Sequence, residues 1–514
     1  MNKNLYIKHK NVNFFFVNNY ESYIEDFFAN QAMREAFVAT NYTFYSTFIP
    51  NIILHTINCG SKKINQSIAE WVSSFLSQRF AKNFKKDEKD EIKRLSKILG
   101  MKEEALGNAF VSADVFNYLI AITGRLKRFI PNFIAGGCST ITVSPPQSDT
   151  FLIGRNLDFT GIDFSDREHA LYVFNLKKNI PYIVISSLGA TIPLNAINRE
   201  GIFIGIHFLY SKHASRRGTP IYSILNECIK NVHTIEEAIN FLKKCSFAGS
   251  WTIVIASAKE NKTCACEVNA KGFSVVLPEE RYFYYANCYQ SENLKSAEVI
   301  PSQALTEHNL FRTERAKEYF HVLSHVTEEH IALFLGDHYD VYTKRIRPFG
   351  NAIAALHNLS SMVLAPNIGK LWMSNRRAPA CDTEEYHGFD IGALYNNEIH
   401  DIPSILVETK KIPKGIEAYK KAHVAWFNFH DSREASLHLK EAIAENPDEP
   451  IYKFVLGLFL LKNKKYKESE LLFHECLMIP DSPVRVKQYI QYLEKAKKKR
   501  SRGIHINTIL GEAL

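Results

Sequence analysis

Between residues 138 and 210, five short runs rich in β-branched and aromatic residues follow one another: CSTITV, TFLIGRNL, ALYVFNL, PYIVISSL and GIFIGIHFL. Only turn residues separate them. Runs this short, with no helical stretch between them to carry the chain back across a sheet, build antiparallel hairpins rather than βαβ units. Two helices follow, TPIYSILNECIKNV and one starting at Thr234, where TIEE has the capping-box form. Residues 250–278 read as three more strands, the first two joined by the polar KENK turn. TEHNLFRTERAKEYFHVL is helical, and LSSMVLAPNIGKLWMSN (359–375) is a late hairpin turning at Pro366-Asn367-Ile368-Gly369. Hairpins mixed with paired helices imply a layered α+β domain.

The flanks have a different texture. Residues 1 to about 130 read as helical. SIAEWVSSFLSQRFAKNF (67–84) repeats apolar residues at three and four, with Trp71, Phe75 and Phe80 on related faces. KDEKDEIKRLSKILGMKEEALGNAF is a charged amphipathic stretch broken at Gly100. From about 412 the chain is helical throughout, with a repeat of 34. Tyr419, Ala422, Trp426, Ala435, Leu439 and Ala442 fall on the tetratricopeptide pattern, closed by Pro447. Leu456, Gly457, Leu460, Ser469, Phe473 and Cys476 repeat it, with Pro480 one residue early. An unrelated helical bundle is the plainer alternative. Two units are few for a free-standing array, so they are expected to pack on the central domain or on a partner protein.

The 514 residues suggest two to four domains, and 46% apolar content is ample for a core. The net charge of +9 is modest at this length; KAKKKRSR (495–502) reads as a solvated helix end rather than a nucleic-acid or membrane patch. NFFFV (13–17) and FVLGLFLL (454–461) are far below spanning length, so no membrane span is expected. The N-terminus lacks a continuous apolar core and a small-residue cleavage site. Nine cysteines, odd in number and irregularly spaced, do not form a disulfide framework, and a cytoplasmic location is expected. Cys264-x-Cys266 has no second Cys/His pair at useful spacing, and DHYD (337–340) reads as a polar loop. No metal, cofactor or nucleic-acid partner is expected.

The reactive candidate is Cys138, in GGCSTITV. A buried Cys is usually a small hydrophobe. Here LIGRNLDF follows, and if 138–144 and 151–157 pair, the turn PPQSD brings Arg155 and Asp158 back toward the thiol. A guanidinium beside a thiol favours the thiolate, and a carboxylate can hold an amine by a charge-assisted bond. An ordinary Arg155–Asp158 ion pair is the structural alternative.

GCSTITV…FLIGRNLDF resembles the N-terminal-nucleophile (Ntn) hydrolases, most of all the acyl-CoA:6-aminopenicillanic-acid acyltransferase-like peptidases. Choloylglycine hydrolases and acid-ceramidase-type amidases are more distant relatives. NREGIFIG (198–205), YYANCYQS (284–291), LFRTERAKEYF (310–320) and the late hairpin are similar to the family's later segments in order, so the resemblance covers roughly 130 to 390. It implies a four-layer αββα sandwich at 138–405 and a helical propeptide or first chain at 1–137; the repeat pattern itself places tetratricopeptide-like helices at 412–500, before a tail at 501–514.

The resemblance also implies that the chain breaks before Cys138, where Gly137 leaves the carbonyl open to the thiol. The freed α-amine, with a reference pKa near ~8, would then serve its own thiol as base. Asp158 would orient that amine, and Arg155 would favour the thiolate or bind substrate. Asn287 matches the oxyanion Asn, and Arg312 matches the helical Arg, with Arg315 as its alternative. His207 stands where choloylglycine-type relatives often carry a second oxyanion Asn; its N–H would substitute, or the hole is built differently. Asn198 is a further oxyanion or substrate candidate, and Cys288 stands where many relatives have His. The implied activity is hydrolysis of a non-peptide C–N bond in a small amide, through an acyl-thioester enzyme. N-acyl transfer from acyl-CoA or an amide is the alternative, and a silent scaffold acting through the helical repeats is a reading of another class.

Overall fold

The computed structural model describes residues 3–56, 62–126, 137–348, 350–407 and 412–501, with 503, 504, 506, 509 and 510. Gly136, residues 127–135 of the expected propeptide and most of the 501–514 tail lie outside the described residues. The fold is mixed α/β, 44% helical and 22% strand.

The first correction falls at the start. LYIKHKNVNFFFV is not helical: β1 (Leu5–His9) and β2 (Val12–Val17) form a hairpin. Lys10 and Asn11 both have positive φ (47° and 58°), the geometry of a two-residue turn that matches strand twist. Every residue of β2 is buried, so it shows no alternation. Helices follow: α1 (Tyr23–Phe27), α2 (Gln31–Phe37), α3 (Thr43–Thr56), α4 (Lys62–Ala81), α5 (Lys86–Leu99) and α6 (Glu103–Leu126). Gly100 ends α5 in the left-handed region at φ 63°. Of the three aromatic residues expected on related faces of α4, Phe80 is buried whereas Trp71 and Phe75 are exposed and stacked on each other. Among the described residues, one helix, at Glu103–Gly124 of α6, is long and apolar enough to cross a membrane. In this fold it is a core helix, with Val111, Val115 and Phe116 fully buried.

The central region supplies β3 (Ser139–Val143), β4 (Leu152–Asp158), β5 (His169–Phe174), β6 (Tyr182–Ser187), β7 (Asn195–Asn198) and β8 (Ile202–Phe208). After α7 (Ile221–Ile229) and α8 (Ile235–Lys244) come β9 (Trp251–Ser257), β10 (Lys262–Asn269), β11 (Gly272–Val276) and β12 (Tyr282–Tyr285). Then follow α9 (Glu292–Lys295), α10 (Gln303–His321), α11 (Glu328–Leu335) and the small pair β13 (Tyr339–Asp340) and β14 (Arg345–Ile346). The region closes with β15 (Asn358–Ala365), β16 (Lys370–Met373), β17 (Glu385–Asp390), α12 (Ile391–Tyr395) and β18 (Asp401–Leu406).

The strands form two large sheets. One runs β1-β2-β5-β6-β7-β8-β9-β10-β11, antiparallel except where β2 lies parallel to β5. The other runs β12-β3-β4-β15-β16-β17-β18 and is antiparallel throughout. One core joins them: Phe14, Leu171, Ile183 and Phe203 of the first sheet pack with Ile153, Met362, Leu371 and Phe389 of the second. The first sheet's other face packs against α1–α8 and the second's against α10 and α11.

The C-terminal region is helical: α13 (Ile416–Phe427), α14 (Ser432–Glu445), α15 (Pro450–Lys462), α16 (Tyr466–Leu477) and α17 (Pro483–Lys497). Small residues permit close helix approach; a Cβ on Gly457 would lie 2.6 Å from the Phe473 ring. This region is packed onto the central one, sharing a core with Ile162, Leu356, Leu359 and Ala378. Arg347, buried, reaches Asp340 (3.3 Å), Glu449 and Asp481 (2.6 and 2.7 Å), tying the two together. Two groups that sequence left open find their places here. In DHYD, Asp337 pairs with Arg315 and His338 with Asp382 (2.5 and 2.8 Å). Cys264 and Cys266 are buried on β10 in the helix-facing core.

Candidate active site

The β3–β4 hairpin builds the site. Its register pairs Thr140 with Arg155 and Ser139 with Asn156, and strand alternation then sends successive side chains to opposite faces. Thr140 and Arg155 face the first sheet, while Ser139 faces α10. Cys138 stands just before β3, 4% exposed, with Sγ 3.7 Å from the Asp158 carbonyl.

Arg155 approaches from the first-sheet side, fully buried. It donates Nε–H to Asn195 Oδ1 (2.9 Å), other N–H groups to Thr140 Oγ1 (3.1 Å) and His207 Nε2 (2.9 Å), and one to the Ile206 carbonyl. A guanidinium carries only donors, so His207 Nε2 accepts and its proton lies on Nδ1, an assignment made from the hydrogen-bond network. Burial, reinforced by the Arg155 and Arg312 charges, holds His207 well below its ordinary pKa and therefore neutral. Its Nε2 serves Arg155, whereas its Nδ1 is buried without a partner.

Arg312 approaches from α10 on the opposite face, also fully buried. It donates to the Gly137 carbonyl (2.7 Å), the Cys138 carbonyl (3.0 Å) and Ser139 Oγ (3.0 Å). Its other terminal nitrogen bonds Asn309 Oδ1 (2.6 Å) and Asn287 Oδ1 (3.4 Å). Asn287 gives one amide hydrogen to the Phe208 carbonyl (3.1 Å), leaving the second available. The carbonyl that precedes Cys138 is thus held by a cation.

Asp158 is buried at the end of β4. Oδ1 accepts from Asn358 Nδ2 (2.7 Å), and Oδ2 has no partner. Burial pushes its pKa up to about 7, although the Asn358 hydrogen bond and the two arginines oppose this. Against burial, Arg155 acts on the thiol in the expected direction. Burial raises the Cys138 pKa, and the Arg155 charge offsets only part of the rise, so in the intact chain the group is a thiol rather than a thiolate.

Two expected residues are not brought here. Asn198 is engaged in the β7–β8 turn, donating to the Ile229 and Val232 carbonyls and accepting from the Glu200 and Ile202 amides. Arg315 points to Asp337 and lies 4.5 Å from the Tyr339 ring centroid. Sequence reasoning missed Asn195, Asn309 and Asn358. Asn309 was within reach, because it precedes Arg312 by three residues on one helix and so shares its face. Nothing local marked Asn195 or Asn358, whose partners lie 40 and 200 residues away.

Cys138 opens into a cavity of about 120 Å³. Leu157, Phe159, Ile206, Phe208 and Trp251 form part of its wall, and Ala109, Phe110 and Ala113 of α6 form another part. The α6 residues lie on the N-terminal side of Cys138, so the cavity is shared between the two segments that flank it.

The site thus brings together a buried thiol, two opposed arginines, a carboxylate oxygen without a partner and an apolar cavity, and the same region of the chain resembles an acyltransferase family. Residues 145–376 match the family described as acyl-coenzyme A:6-aminopenicillanic acid acyl-transferase. The match begins beyond Cys138 and spans Arg155, Asp158, Asn287 and Arg312. No curated protein matches. Among solved structures, a Caenorhabditis elegans ortholog of N-acylethanolamine-hydrolyzing acid amidase aligns at 14% identity over 45% of this chain and 93% of that one, with a TM-score of 0.33. A mutant and a variant of conjugated bile acid hydrolase from Clostridium perfringens align at 12% and 13% identity, over 51% and 53% of this chain and 96% and 98% of theirs, both with a TM-score of 0.32.

Proposed function

We propose that the chain is a self-processing N-terminal-cysteine hydrolase that cleaves the C–N bond of a small amide bearing an apolar acyl group. The arrangement of two sheets and two helical faces is read as the αββα sandwich of such enzymes, and the C-terminal helix pairs as tetratricopeptide-like. One observation carries the reading: the Arg312 guanidinium lies 2.7 Å from the carbonyl oxygen of Gly137, the bond that must break. Cys138 Sγ attacks the Gly137 carbonyl carbon, and Arg312 stabilises the oxyanion. The thiol proton passes through Asp158, whose pKa of about 7 suits a relay, to the departing Cys138 nitrogen. Water then cleaves the thioester, leaving a Gly137 carboxylate and a free α-amine on Cys138.

In turnover the α-amine takes the thiol proton and Sγ attacks the substrate carbonyl. The second amide hydrogen of Asn287 faces the developing oxyanion, the protonated amine delivers its proton to the leaving nitrogen, and water releases the acyl group. The apolar cavity beside Cys138 supports an apolar acyl group, held partly by α6. The same thioester passed to an amine gives N-acyl transfer, which the description of the matched family favours as a second reading. Intact mass and denaturing electrophoresis test the proposal. Wild type should yield two fragments divided at 137/138, and Cys138→Ala a single chain without activity. Turnover by an uncut chain would sink it.

A further inference from the structure

The turn that carries Asn287, residues 286–291, makes most of its side-chain hydrogen bonds to Glu267 of the other sheet, with Glu298 Oε1 accepting from the Tyr289 amide (3.3 Å). Glu267 sits in the middle of β10, fully buried. Its Oε1 accepts from Tyr285 Oη (2.5 Å) and the Gln290 amide (2.6 Å), and its Oε2 from the Ser291 amide (3.1 Å) and the Ser291 hydroxyl. No Lys or Arg pairs with it among the described residues. The hydrogen bonds that accommodate this buried carboxylate come from Tyr285 and the turn itself. A turn that moved would leave a buried carboxylate without donors, which is strongly unfavourable.

The same cluster reaches the chain on either side of Asn287, at Tyr285 and Cys288. Tyr285 Oη also lies 2.9 Å from the Cys288 carbonyl and accepts from Thr252 Oγ1 (2.9 Å). The Tyr285 ring meets His207 edge-on, with centroids 5.2 Å apart, and His207 in turn accepts from Arg155. On its other side, Asn287 is held through its carbonyl by Asn309 Nδ2 (3.1 Å). Asn287 itself is bonded to Phe208 of β8 and to α10, while the turn that carries it is bonded to Glu267 of β10 and, through the Tyr289 amide, to Glu298 Oε1.

We infer that Glu267 is the positioning residue of the oxyanion donor: it fixes the 286–291 turn so that the Asn287 amide faces the substrate carbonyl at Cys138. This rests on the role proposed above for Asn287. Glu267→Gln keeps the shape but points an NH₂ group at an N–H donor, so the turn must shift. Full-length wild type, Glu267→Gln, Asn287→Ala and the double variant are compared with N-lauroyl-7-amino-4-methylcoumarin as the probe. Glu267→Gln should lower kcat about 10- to 100-fold, as expected for a displacement near 1 Å, with KM and Tm nearly unchanged. In the Asn287→Ala background it should add less than about two-fold.

An equal loss in both backgrounds, or a loss confined to KM, overturns the inference. If Asn287→Ala alone has no effect, the oxyanion assignment falls instead. Amide hydrogen exchange needs no substrate and decides the structural half separately. Glu267→Gln should speed exchange over 286–291 and leave the rest of the chain unchanged; unaltered exchange there overturns the inference even if the probe is not hydrolysed by any form.

Discussion

The two helical regions at the ends of the chain have similar local texture and opposite relations to the candidate site. The N-terminal one enters the architecture: β1 and β2 extend a sheet, and α6 forms a cavity wall. Its polar grip falls on α7 and uses acids pushed upward by burial. Tyr20, Tyr23 and Tyr222 surround Glu91, Ser223 bonds Glu88 (2.6 Å), and Asp114 accepts the Ile221 amide (2.9 Å). The C-terminal region stays outside the sheets. It grips through a cation, Arg347, and also through Ser482 on Glu307 of α10 (2.6 Å) and a His357–His423 contact (3.1 Å) beside Asn358. One region shapes the cavity, while the other braces the elements that hold Asp158 and Arg312.

The sharpest break of that contrast is Arg347→Ala. It leaves buried Asp340, Glu449 and Asp481 without their cation and should cost about 3–5 kcal/mol. Chemical denaturation should show the loss, while the folded fraction keeps its acyl preference. A changed preference would mean that the C-terminal brace also shapes the cavity. Arg312→Gln, at the braced helix, should slow the 137/138 break by about 10²–10³-fold, near 3 kcal/mol of barrier, read as the rate of fragment appearance. A break at normal speed would remove Arg312 from the chemistry.

On the N-terminal side, Ala113→Phe fills the α6 wall. It should depress kcat/KM for long acyl groups by about ten-fold or more relative to short ones, with little change in Tm. A uniform loss across chain lengths would detach α6 from acyl recognition.

The smallest effect is a difference in pH response. Burial raises Asp114 to about 7, with the Ile221 amide opposing, so its proton is held more tightly in the folded state. Its contribution to stability is therefore greatest at low pH and declines as pH rises from about 4 to 7. Asp481 has the opposite sign: burial would raise it, but Arg347 outweighs burial and holds it below the ordinary range. Its contribution is present above the unfolded value and is lost as pH falls through the lowered one. Amide exchange across pH should loosen α4–α6 toward neutral pH and α13–α17 only in acid. Asp114→Asn should weaken the first trend, leaving the share carried by Glu88 and Glu91, and should not touch the second.

Much of the β architecture was legible, because period and turn chemistry act locally. The β3–β4 hairpin, the three strands over 250–278 and the late hairpin lie where alternation and turn residues put them. The β1–β2 hairpin escaped notice because its turn is Lys-Asn and β2 is buried on both faces, which erases the period-two signal. In the candidate site, Arg155 and Asp158 follow from the hairpin register, and Arg312 from its helix. Sequence adjacency shows the Arg155 charge that favours the thiolate, but not the burial that raises the Cys138 pKa in the intact chain.

The sequence by itself determined a β-rich middle between helical ends, a cysteine after a glycine, and the arginine and aspartate that a tight turn returns to it. These depend on backbone preferences and on contacts a few residues apart. Only the tertiary structure decided that Arg312 touches the Gly137 carbonyl, that Asn358 bonds Asp158, that Glu267 bonds the turn carrying Asn287, and that α6 lines the cavity. Each depends on groups far apart in the chain meeting in a packed interior, where burial and unpaired hydrogen-bonding groups outweigh local preference.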